Sequence, residues 1–383
     1  MRFIPFLLCL FFISIVYGDD NKIKIEVKNT SSVEQKNVIV SMQYQALGLK
    51  DKVNKDLTII DKKTNDRLPS QLIDENLDGI PDVLLFMCDF QPQEVKLFSF
   101  SVSEKKTVTE PLVNVKYVLP RKDVAWENDR IAYRIYGSPL AGDVLNGIDV
   151  WVKRVRYQII DKWYGGDSLK GKERISYHID HGEGADFFLV GKSLGCGSSA
   201  ILFDNKIYQA GLFSYYRIIA KGPLRIVFEV YYPDIVVQDK KFLEIKRITL
   251  DAGTNLNKIE DVFISEDSGL PIEIVCGLVK RSGVTLHKVG NIGISLWGPT
   301  DTEPMNEFLG TGIIVPENKL LRIYEDSLQV YAVCSAITGQ PFTYYTGAGW
   351  TRSGDFKDMD EWNQYLESYL KNIEMPLVIR ILK

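Results

Sequence analysis

The chain has 383 residues, of which 45% are hydrophobic and 25% are charged, and its formal net charge at pH 7 is -4. This charge balance argues against a surface that binds nucleic acid or an anionic membrane. We therefore expect partners that are small or neutral, or anions bound by a local basic pocket. The length allows one large domain or two modest ones.

The first residues have the order of a secretory signal peptide. Arg2 is followed by an uncharged apolar run over residues 3–16, and the small residue Gly18 precedes Asp19. This order is typical of a cleavable signal, and the apolar run is short for a membrane span. We expect a signal peptide over residues 1–18, cleaved near Gly18. The mature protein should be periplasmic or secreted, without a membrane anchor.

Most of the mature chain is predicted as strands separated by short turns. β-branched and aromatic residues alternate with polar ones in eight segments, namely 23–29, 37–44, 94–102, 130–137, 148–157, 185–191, 224–232 and 241–250. The predicted class is all-β, with a large antiparallel β-sandwich. Helical spacing of Trp362, Leu366 and Leu370 predicts one helix over 359–373, followed by a last strand.

A charged segment at 104–111 that ends in Pro111 is the best candidate linker. It would separate an N-terminal β region over 19–108 from the main β-sandwich over 109–383. Alternatively, it joins strands of a single large sandwich. The main region would contain the candidate functional site.

Two of the three histidines lie in the segment ISYHIDHGEGADFFLVGKSLGCG, residues 175–197. On a strand, Ser176, His178 and Asp180 would share one face, because side chains alternate. A carboxylate beside an imidazole orients it and raises its pKa. The pattern predicts that His178 is a general acid or base oriented by Asp180. The alternative is a strand end whose polar residues meet water.

Metal binding is a weaker hypothesis for the same segment. His181, Glu183 and Asp186 follow in a glycine-rich turn and could join His178 around a divalent ion. Their spacing matches no metalloenzyme signature, so the metal stays unknown.

A second candidate for a metal is the segment IDENLDGIPDVLLF. It places acidic and amide side chains around Gly79 in the order of a calcium loop, at Asp74, Asn76, Asp78 and Asp82. The bidentate acid of an EF-hand is missing, since Leu85 occupies the twelfth position. Calcium is therefore possible, a carboxylate-rich turn is the alternative, and no other cofactor is expected.

Aromatic and cationic side chains are concentrated between residues 148 and 164. They are Trp151, Lys153, Arg154, Trp163 and Tyr164. Sugar rings stack on aromatic faces, and Lys or Arg binds the carboxylate of a uronate. The cluster predicts a sugar-binding site. The alternative is a core of tryptophans with lysine at the surface.

Two later segments could add groups to the same cleft. On the strand 224–232, Arg225, Glu229 and Tyr231 share one face, opposite the apolar side chains. The segment TYYTGAGWTRSGDF, which includes Trp350, predicts an aromatic loop that faces a ligand. Alternatively, packing of the C-terminal helix accounts for its aromatic residues.

Long strings in the chain resemble a known family. They include RLPSQLIDENLDGIPDVLLF, GIDVWVKR, YHIDHGEGADFFLVGKSLGCG, KGPLRIVFEVYY and YYTGAGWTRSGDF. The chain is similar to secreted proteins of domain-of-unknown-function family 4861, found in bacterial polysaccharide-utilisation systems. The resemblance implies a galactose-mutarotase-like β-supersandwich that dehydrates a uronic acid at the non-reducing end of an oligosaccharide. Val83 departs from the family pattern, where an acid is common, which weakens the calcium hypothesis.

Elimination of water from a uronate needs a cation to neutralise the carboxylate, a base and an acid. The cation would be Lys153, Arg154 or Arg225, and His178 would move the proton. Tyr164 or Tyr177 would serve the departing hydroxyl, although strand parity disfavours Tyr177. The predicted catalytic residues are His178, Asp180, Tyr164 and Arg225, and the predicted substrate-binding residues are Trp151, Lys153, Arg154, Trp163, Glu183, Tyr231 and Trp350.

Other functions fit the same residues. A non-catalytic carbohydrate-binding protein would use the aromatic and cationic cluster without needing His178. A mutarotase-like epimerase is a further alternative. A glycoside hydrolase would need two carboxylates flanking the bond, and Asp180 with Glu229 is the pair that the sequence offers.

Overall fold

The computed structural model describes residues 23–48, 56–103, 110–300, 307–316 and 319–382. The predicted signal peptide lies outside these ranges, as does most of the predicted linker. Among the described residues, neither α-helix is long and apolar enough to cross a membrane.

Antiparallel strands make up most of the secondary structure, and the predicted all-β antiparallel class with a helix near the C terminus is confirmed. The helices are α1 (Ile160–Asp167) and α2 (Met359–Glu374). The strands are β1 (Ile23–Lys28), β2 (Gln35–Gln43), β3 (Asp56–Asp61), β4 (Arg67–Leu68), β5 (Ser70–Ile73), β6 (Val83–Phe90), β7 (Val95–Ser103), β8 (Val113–Val118), β9 (Asp123–Asn128), β10 (Ile131–Ile135), β11 (Asp149–Lys153), β12 (Gly184–Ala185), β13 (Cys196–Phe203), β14 (Lys206–Tyr208), β15 (Tyr215–Lys221), β16 (Arg225–Tyr231), β17 (Ile235–Val237), β18 (Lys240–Asp251), β19 (Leu256–Ile264), β20 (Pro271–Val279), β21 (Thr285–Val289), β22 (Gly293–Pro299), β23 (Phe308–Ile314), β24 (Leu320–Glu325), β25 (Gln329–Ile337), β26 (Phe342–Trp350) and β27 (Val378–Leu382).

The chain divides into two compact units. Among the described residues, the first unit comprises 23–48, 56–103, 110–111, Gly222–Arg225 and 371–382. Its sheets have the strand orders β27-β1-β7-β3-β4 and β2-β6-β5. The end of the chain, predicted as part of the main sandwich, lies here because β27 pairs with β1. The predicted boundary at residue 108 falls outside the described residues and stays a prediction.

Alternation along the strands explains the core of the first unit. In β1, Ile25 and Val27 are fully buried, while the charged residues between and beside them are partly exposed or exposed. Successive strand side chains point to opposite faces, so this pattern buries one face of the sheet. The buried residues pack with Phe86, Phe98 and other apolar side chains of the same unit.

The second unit comprises Leu112–Lys221 and Ile226–Leu370. It contains the five-stranded sheets β12-β11-β10-β9-β8 and β14-β13-β20-β25-β24. A nine-stranded sheet runs in the order β15-β16-β18-β19-β26-β23-β22-β21, with β17 paired to β18. Strand β18 alternates buried and less buried residues, and its inward positions include charged Glu244 and Lys246 as well as apolar residues.

Glycines on β23 and β26 allow α2 to pack closely against the sheet. The fully buried residues Trp362 and Leu366 lie over Gly310, Gly312 and Gly349. A Cβ at Gly310 would lie 2.6 Å from Trp362 Cδ1, nearer than side-chain atoms approach one another. The loop predicted over 343–356 was wrong for 343–350, which lies in strand β26. Packing of the helix accounts for Tyr345 and Gly349 of this segment.

Three other predicted elements differ from the structure. Residues 175–180 form a turn, and of 185–191 only Ala185 lies in a strand, so both predicted strands were wrong. The strand predicted over 148–157 ends at Lys153. Helix α1, which the sequence reading missed, follows shortly after it. Glycines 182, 191 and 195 have positive φ and turn the chain in and beside these segments.

Candidate functional site

A buried arginine on β10 gathers three aspartates. Arg134 donates from Nε and Nη2 to Asp149 Oδ2, at 2.9 and 2.5 Å, and from Nη2 to Asp186 Oδ2 at 3.1 Å. Its Nη1 lies 3.9 Å from Asp123 Oδ2. The pairing of β10 with β11 sets Arg134 opposite Asp149. We call Asp123, Arg134, Asp149 and Asp186 the arginine cluster.

The arginine cluster holds more carboxylates than its one guanidinium can neutralise. Burial, together with the charge of Asp186, raises the pKa of Asp149 to about 7, although Arg134 acts in the opposite direction. Burial also raises the pKa of Asp186 to about 6 and raises the pKa of Asp123. Perturbed carboxyl groups of this kind are typical of functional sites. The cluster is therefore a reservoir of protons near neutral pH.

These pKa values predict a pH dependence of stability. An unfolded aspartate titrates near about 3.9, so the folded chain holds more protons than the unfolded chain between about pH 4 and pH 7. The free energy of unfolding should therefore decrease as the pH rises through this window. Asp149→Asn, which cannot ionise, should show a shallower decrease in urea unfolding measured at about pH 5 and about pH 7. An unchanged slope would mean that Asp149 does not titrate in this range.

Aromatic rings enclose the arginine cluster. Trp151 donates from Nε1 to Asp149 at 3.1 Å, and its ring stacks on Trp163 and Tyr177 with centroids 5.5 and 4.7 Å apart. The Tyr164 hydroxyl donates to Asp123 Oδ2 at 3.0 Å. Trp151, Trp163 and Tyr164 are all buried. The structure thus brings three predicted site residues together, but it places them behind the surface.

His178 lies at the outer edge of this cluster, in the turn after α1. Its side chain is 51% exposed, and its Nδ1 lies 3.3 Å from the Asp186 backbone oxygen and 3.4 Å from Asp186 Oδ2. Both neighbours are acceptors, which favours a hydrogen on Nδ1. No hydrogen bond from any described residue reaches Nε2. The Nδ1 atom of His178 is therefore held by Asp186, whereas Nε2, on a half-exposed side chain, has no hydrogen bond from a described residue.

The turn reverses the side-chain directions predicted from a strand. Tyr177 is buried, with its hydroxyl 3.1 Å from Arg134 Nη1, whereas Ile175 and Ile179 are exposed. The predicted shared face of His178 and Asp180 was therefore wrong. The carboxylate beside His178 belongs to Asp186, because the chain folds back at its glycines.

Asp180 instead fixes the turn. Its Oδ1 accepts the backbone N–H groups of Gly182 and Gly184 at 2.7 and 3.0 Å, and its Oδ2 accepts Arg154 Nη1 at 3.0 Å. Arg352 Nη1 lies 3.5 Å from the same oxygen. Burial acts to raise the pKa of Asp180, but these hydrogen bonds lower it overall. The ionised carboxylate thus holds Arg154 beside the turn that contains His178. The Arg154 side chain is 34% exposed.

Glu183 forms a separate polar group in the same turn. It accepts hydrogen bonds from Lys162 at 2.7 Å, from the Tyr157 hydroxyl, and from Trp163 Nε1 at 3.3 Å. Burial acts to raise the pKa of Glu183, but these donors lower it overall. Tyr157 and Lys162 are mostly exposed, so this group is the part of the turn most open to a ligand.

Lys153 and Trp350 are not at the surface. Lys153 Nζ is buried and donates to Glu127 Oε2 and to the Asn128 oxygen, each at 2.7 Å, and burial lowers its pKa. Trp350 is buried on β26, with its ring 5.7 Å from Phe187. Their assignment as substrate-binding residues stays a prediction, and neither offers an exposed face.

Arg225 and Tyr231, at the two ends of β16, have separate surroundings. The backbone N–H and oxygen of Arg225 pair with the Gln71 side chain in the first unit. In the second unit, the Tyr231 hydroxyl donates to Glu229 Oε2 at 2.8 Å, and burial raises the pKa of Tyr231 to about 12. Arg217 also donates to that oxygen, at 2.7 Å. Among the described residues, Tyr231, Glu229 and Arg217 form no hydrogen bond with the arginine cluster.

The sequence reading did not single out Arg134 or Asp149, and it assigned Asp186 to a possible metal site. One signal was available, because each of the first two is a charged residue inside an apolar strand segment, IAYRIY and IDVWV. A fully buried charge requires a partner, which predicts an ion pair between such strands. Arg121, whose guanidinium lies 5.4 Å over the Tyr177 ring, carried no such signal.

In the candidate calcium loop, side-chain oxygens accept backbone N–H groups. Asp74 accepts from Asp78 and Gly79 at 3.1 and 2.6 Å, and Asp82 accepts from Glu75 and Asn76 at 2.8 and 3.3 Å. Within the described residues, no three His, Cys, Asp or Glu side chains are grouped as metal ligands. These hydrogen bonds order the turn, and calcium binding by it stays a prediction.

The fold and the site together define an all-β sandwich protein with a histidine and carboxylate pair at its surface. The chain belongs to the family described as "Domain of unknown function (DUF4861)", whose model matches residues 27–379. This membership confirms the resemblance seen in the sequence. "Uncharacterized protein P7" of Formosa agariphila is 32% identical over 345 residues, which cover 85% of each chain.

Solved structures with a similar fold are distant in sequence. A protein in glycosyl hydrolase family 38 from Enterococcus faecalis is 11% identical and has a TM-score of 0.54, with 95% of this chain and 48% of that chain covered. This chain therefore spans about half the length of that protein. An α-mannosidase from Enterococcus faecalis V583 is 8% identical, with a TM-score of 0.46 and coverage of 96% and 46%. The first likeness supports the fold assignment.

Proposed function

We propose that this chain is a carbohydrate-active enzyme that dehydrates a uronate at the non-reducing end of an oligosaccharide. The observation that carries the proposal is the His178 imidazole, held at Nδ1 by Asp186 and open at Nε2. The occurrence of this fold in a glycosyl hydrolase family 38 protein is consistent with a sugar substrate. Fold alone does not define the reaction, because the reaction depends on the side chains of the site.

His178 would act as the base. Neutral imidazole takes the C5 proton at Nε2, and the electron pair of the C5–H bond becomes the C4–C5 double bond. The C4–O bond breaks, and the departing hydroxide takes a proton from an acid to leave as water. The imidazolium that forms faces the Asp186 carboxylate, which stabilises its charge.

The C5 proton becomes acidic only when the uronate carboxylate is neutralised. Of the cations predicted for this role, Arg154 is part-exposed. It forms an ion pair with Asp180, which lies in the same turn as His178. Arg121, over the ring of Tyr177, is a second candidate and is 35% exposed. Guanidinium groups bind carboxylates through paired hydrogen bonds, which would orient C5 toward His178.

Tyr177 is the better candidate for the acid. Its ring lies 4.6 Å from that of His178, and burial raises its pKa, which keeps its hydroxyl protonated. The Tyr164 hydroxyl already donates its hydrogen to Asp123. We therefore assign proton delivery to Tyr177, which requires its buried hydroxyl to become accessible when substrate binds, and Tyr164 to the support of the arginine cluster.

Product analysis tests the reaction directly. Purified protein is incubated with uronate-terminated oligosaccharides, and ultraviolet absorbance, mass and reducing ends are followed together. Dehydration should create an ultraviolet-absorbing double bond and remove one water, with no new reducing ends. New reducing ends without absorbance would instead identify a hydrolase. Tight binding without either product would identify a carbohydrate-binding protein.

A further inference from the structure

An aromatic surface surrounds the edge strand β15 in the second unit. Tyr215 is 59% exposed, and its ring centroid lies 5.3 Å from that of Tyr231 on β16. Tyr216 is half-buried and stacks on Tyr117 of β8, with centroids 4.6 Å apart and an interplanar angle of 16°. Phe213 packs edge-on against Tyr216. We call Tyr215 and Tyr231, which share one face of the sheet, the tyrosine surface; Tyr216 points to the other face, where Tyr117 and Phe213 pack against it.

A buried carboxylate lies at the base of the tyrosine surface. Glu229 Oε2 accepts hydrogen bonds from Arg217 Nη2 at 2.7 Å and from the Tyr231 hydroxyl at 2.8 Å. Its Oε1 accepts no hydrogen bond from the described residues and lies 3.7 Å from Arg247 Nη1. Only 1% of the Glu229 side chain is exposed. The buried carboxylate therefore fixes the Tyr231 hydroxyl and the Arg217 guanidinium, and the Arg217 side chain is 43% exposed beside Tyr215.

The position of β15 leaves these rings open to a ligand. β15 lies at one end of the nine-stranded sheet, so the strand has a neighbour in that sheet only on its β16 side. Pairing of Tyr215 with Tyr231 and of Arg217 with Glu229 sets all four side chains on one face of the sheet. Exposed tyrosines beside an arginine and carboxylate pair combine apolar ring faces with hydroxyl donors and acceptors.

We infer that the tyrosine surface binds an inner pyranose unit of the oligosaccharide, at a second saccharide site that shares no residue with the arginine cluster. The ring face of a pyranose carries C–H groups that stack on an exposed tyrosine, while its hydroxyls can accept hydrogen bonds from the part-exposed Arg217 guanidinium. The inference rests on the proposed carbohydrate substrate and extends it to units beyond the reacting terminal sugar.

The test compares binding of short and long sugars to single variants. Titration calorimetry measures the Kd for uronate-terminated disaccharides and for hexasaccharides prepared from alginate, pectate, chondroitin and glucuronoxylan. Tyr215→Ala should weaken hexasaccharide binding about fivefold to tenfold and leave disaccharide binding and turnover unchanged. Tyr324→Ala is the matched control, because Tyr324 is 43% exposed on β24 and stacks on Tyr331. It should change neither affinity.

Failure of this inference can be told from failure of the proposed reaction. Hexasaccharide affinity that depends on Tyr215, without any ultraviolet-absorbing product, supports the second site and rejects dehydration. Product formation with equal hexasaccharide affinity in wild type and Tyr215→Ala overturns the second site. Absence of hexasaccharide binding across the panel also overturns it. A dimer that Tyr215→Ala dissociates, with no change in sugar affinity, would identify the surface as a contact between copies of the chain.

Discussion

Replacing His178 with Gln is expected to lower kcat/KM for uronate dehydration by roughly 100- to 10,000-fold. The Gln side chain is similar in size to that of His and can still form a hydrogen bond to Asp186. It cannot take the C5 proton. The side chain is half-exposed in a turn held by Asp180, so the fold should survive the change. The measurement is the growth of ultraviolet absorbance from a uronate-terminated oligosaccharide, with the Kd determined in parallel.

His181 supplies the matched control. It lies three positions later in the same turn, is exposed, and makes no hydrogen bond or ion pair with a described residue. His181→Gln should therefore keep turnover within about twofold of wild type, a change far below that for loss of a general base. If His178→Gln also stayed within about threefold, His178 would have no place in the mechanism.

Replacing Arg134 with Met is expected to lower the apparent free energy of unfolding by about 3–5 kcal/mol at neutral pH. The change removes the cation that Asp149 and Asp186 share and leaves the carboxyl groups facing one another in a buried site. Without the cation, their pKa values should rise further, because the charge of Arg134 no longer opposes the effect of burial. The loss should therefore be smaller at about pH 5, where these groups hold protons. Urea unfolding at both pH values measures the effect.

Arg322→Met is the control for removing an arginine. Arg322 forms a two-point ion pair with Glu273, but both side chains are substantially exposed. Exposed ion pairs contribute at most about 1 kcal/mol, so this variant should stay close to wild type at both pH values. A loss for Arg134→Met no larger than that for Arg322→Met would show that the arginine cluster does not depend on Arg134.

Local patterns were enough to predict several of the strands and the C-terminal helix. Alternating residues in β1 and β18 gave period-two burial, and the spacing of Trp362 and Leu366 gave α2. These elements are amphipathic on a length scale that a short window of sequence contains. The glycine-rich segment 175–197 misled the same reasoning, because positive-φ glycines turn the chain at positions that alternation alone cannot reveal.

The sequence by itself determined the class of the fold and the family, and it predicted a role for His178 that stays a prediction. Only the tertiary structure decided which carboxylate faces the imidazole and which aromatic rings remain exposed. Asp186 reaches His178 because the turn folds back, and Arg134 reaches Asp149 because two strands pair. Trp151 and Trp163 became core residues around that ion pair, while Tyr215 stayed exposed on an edge strand. Such choices depend on contacts between segments distant in sequence, which no local pattern specifies.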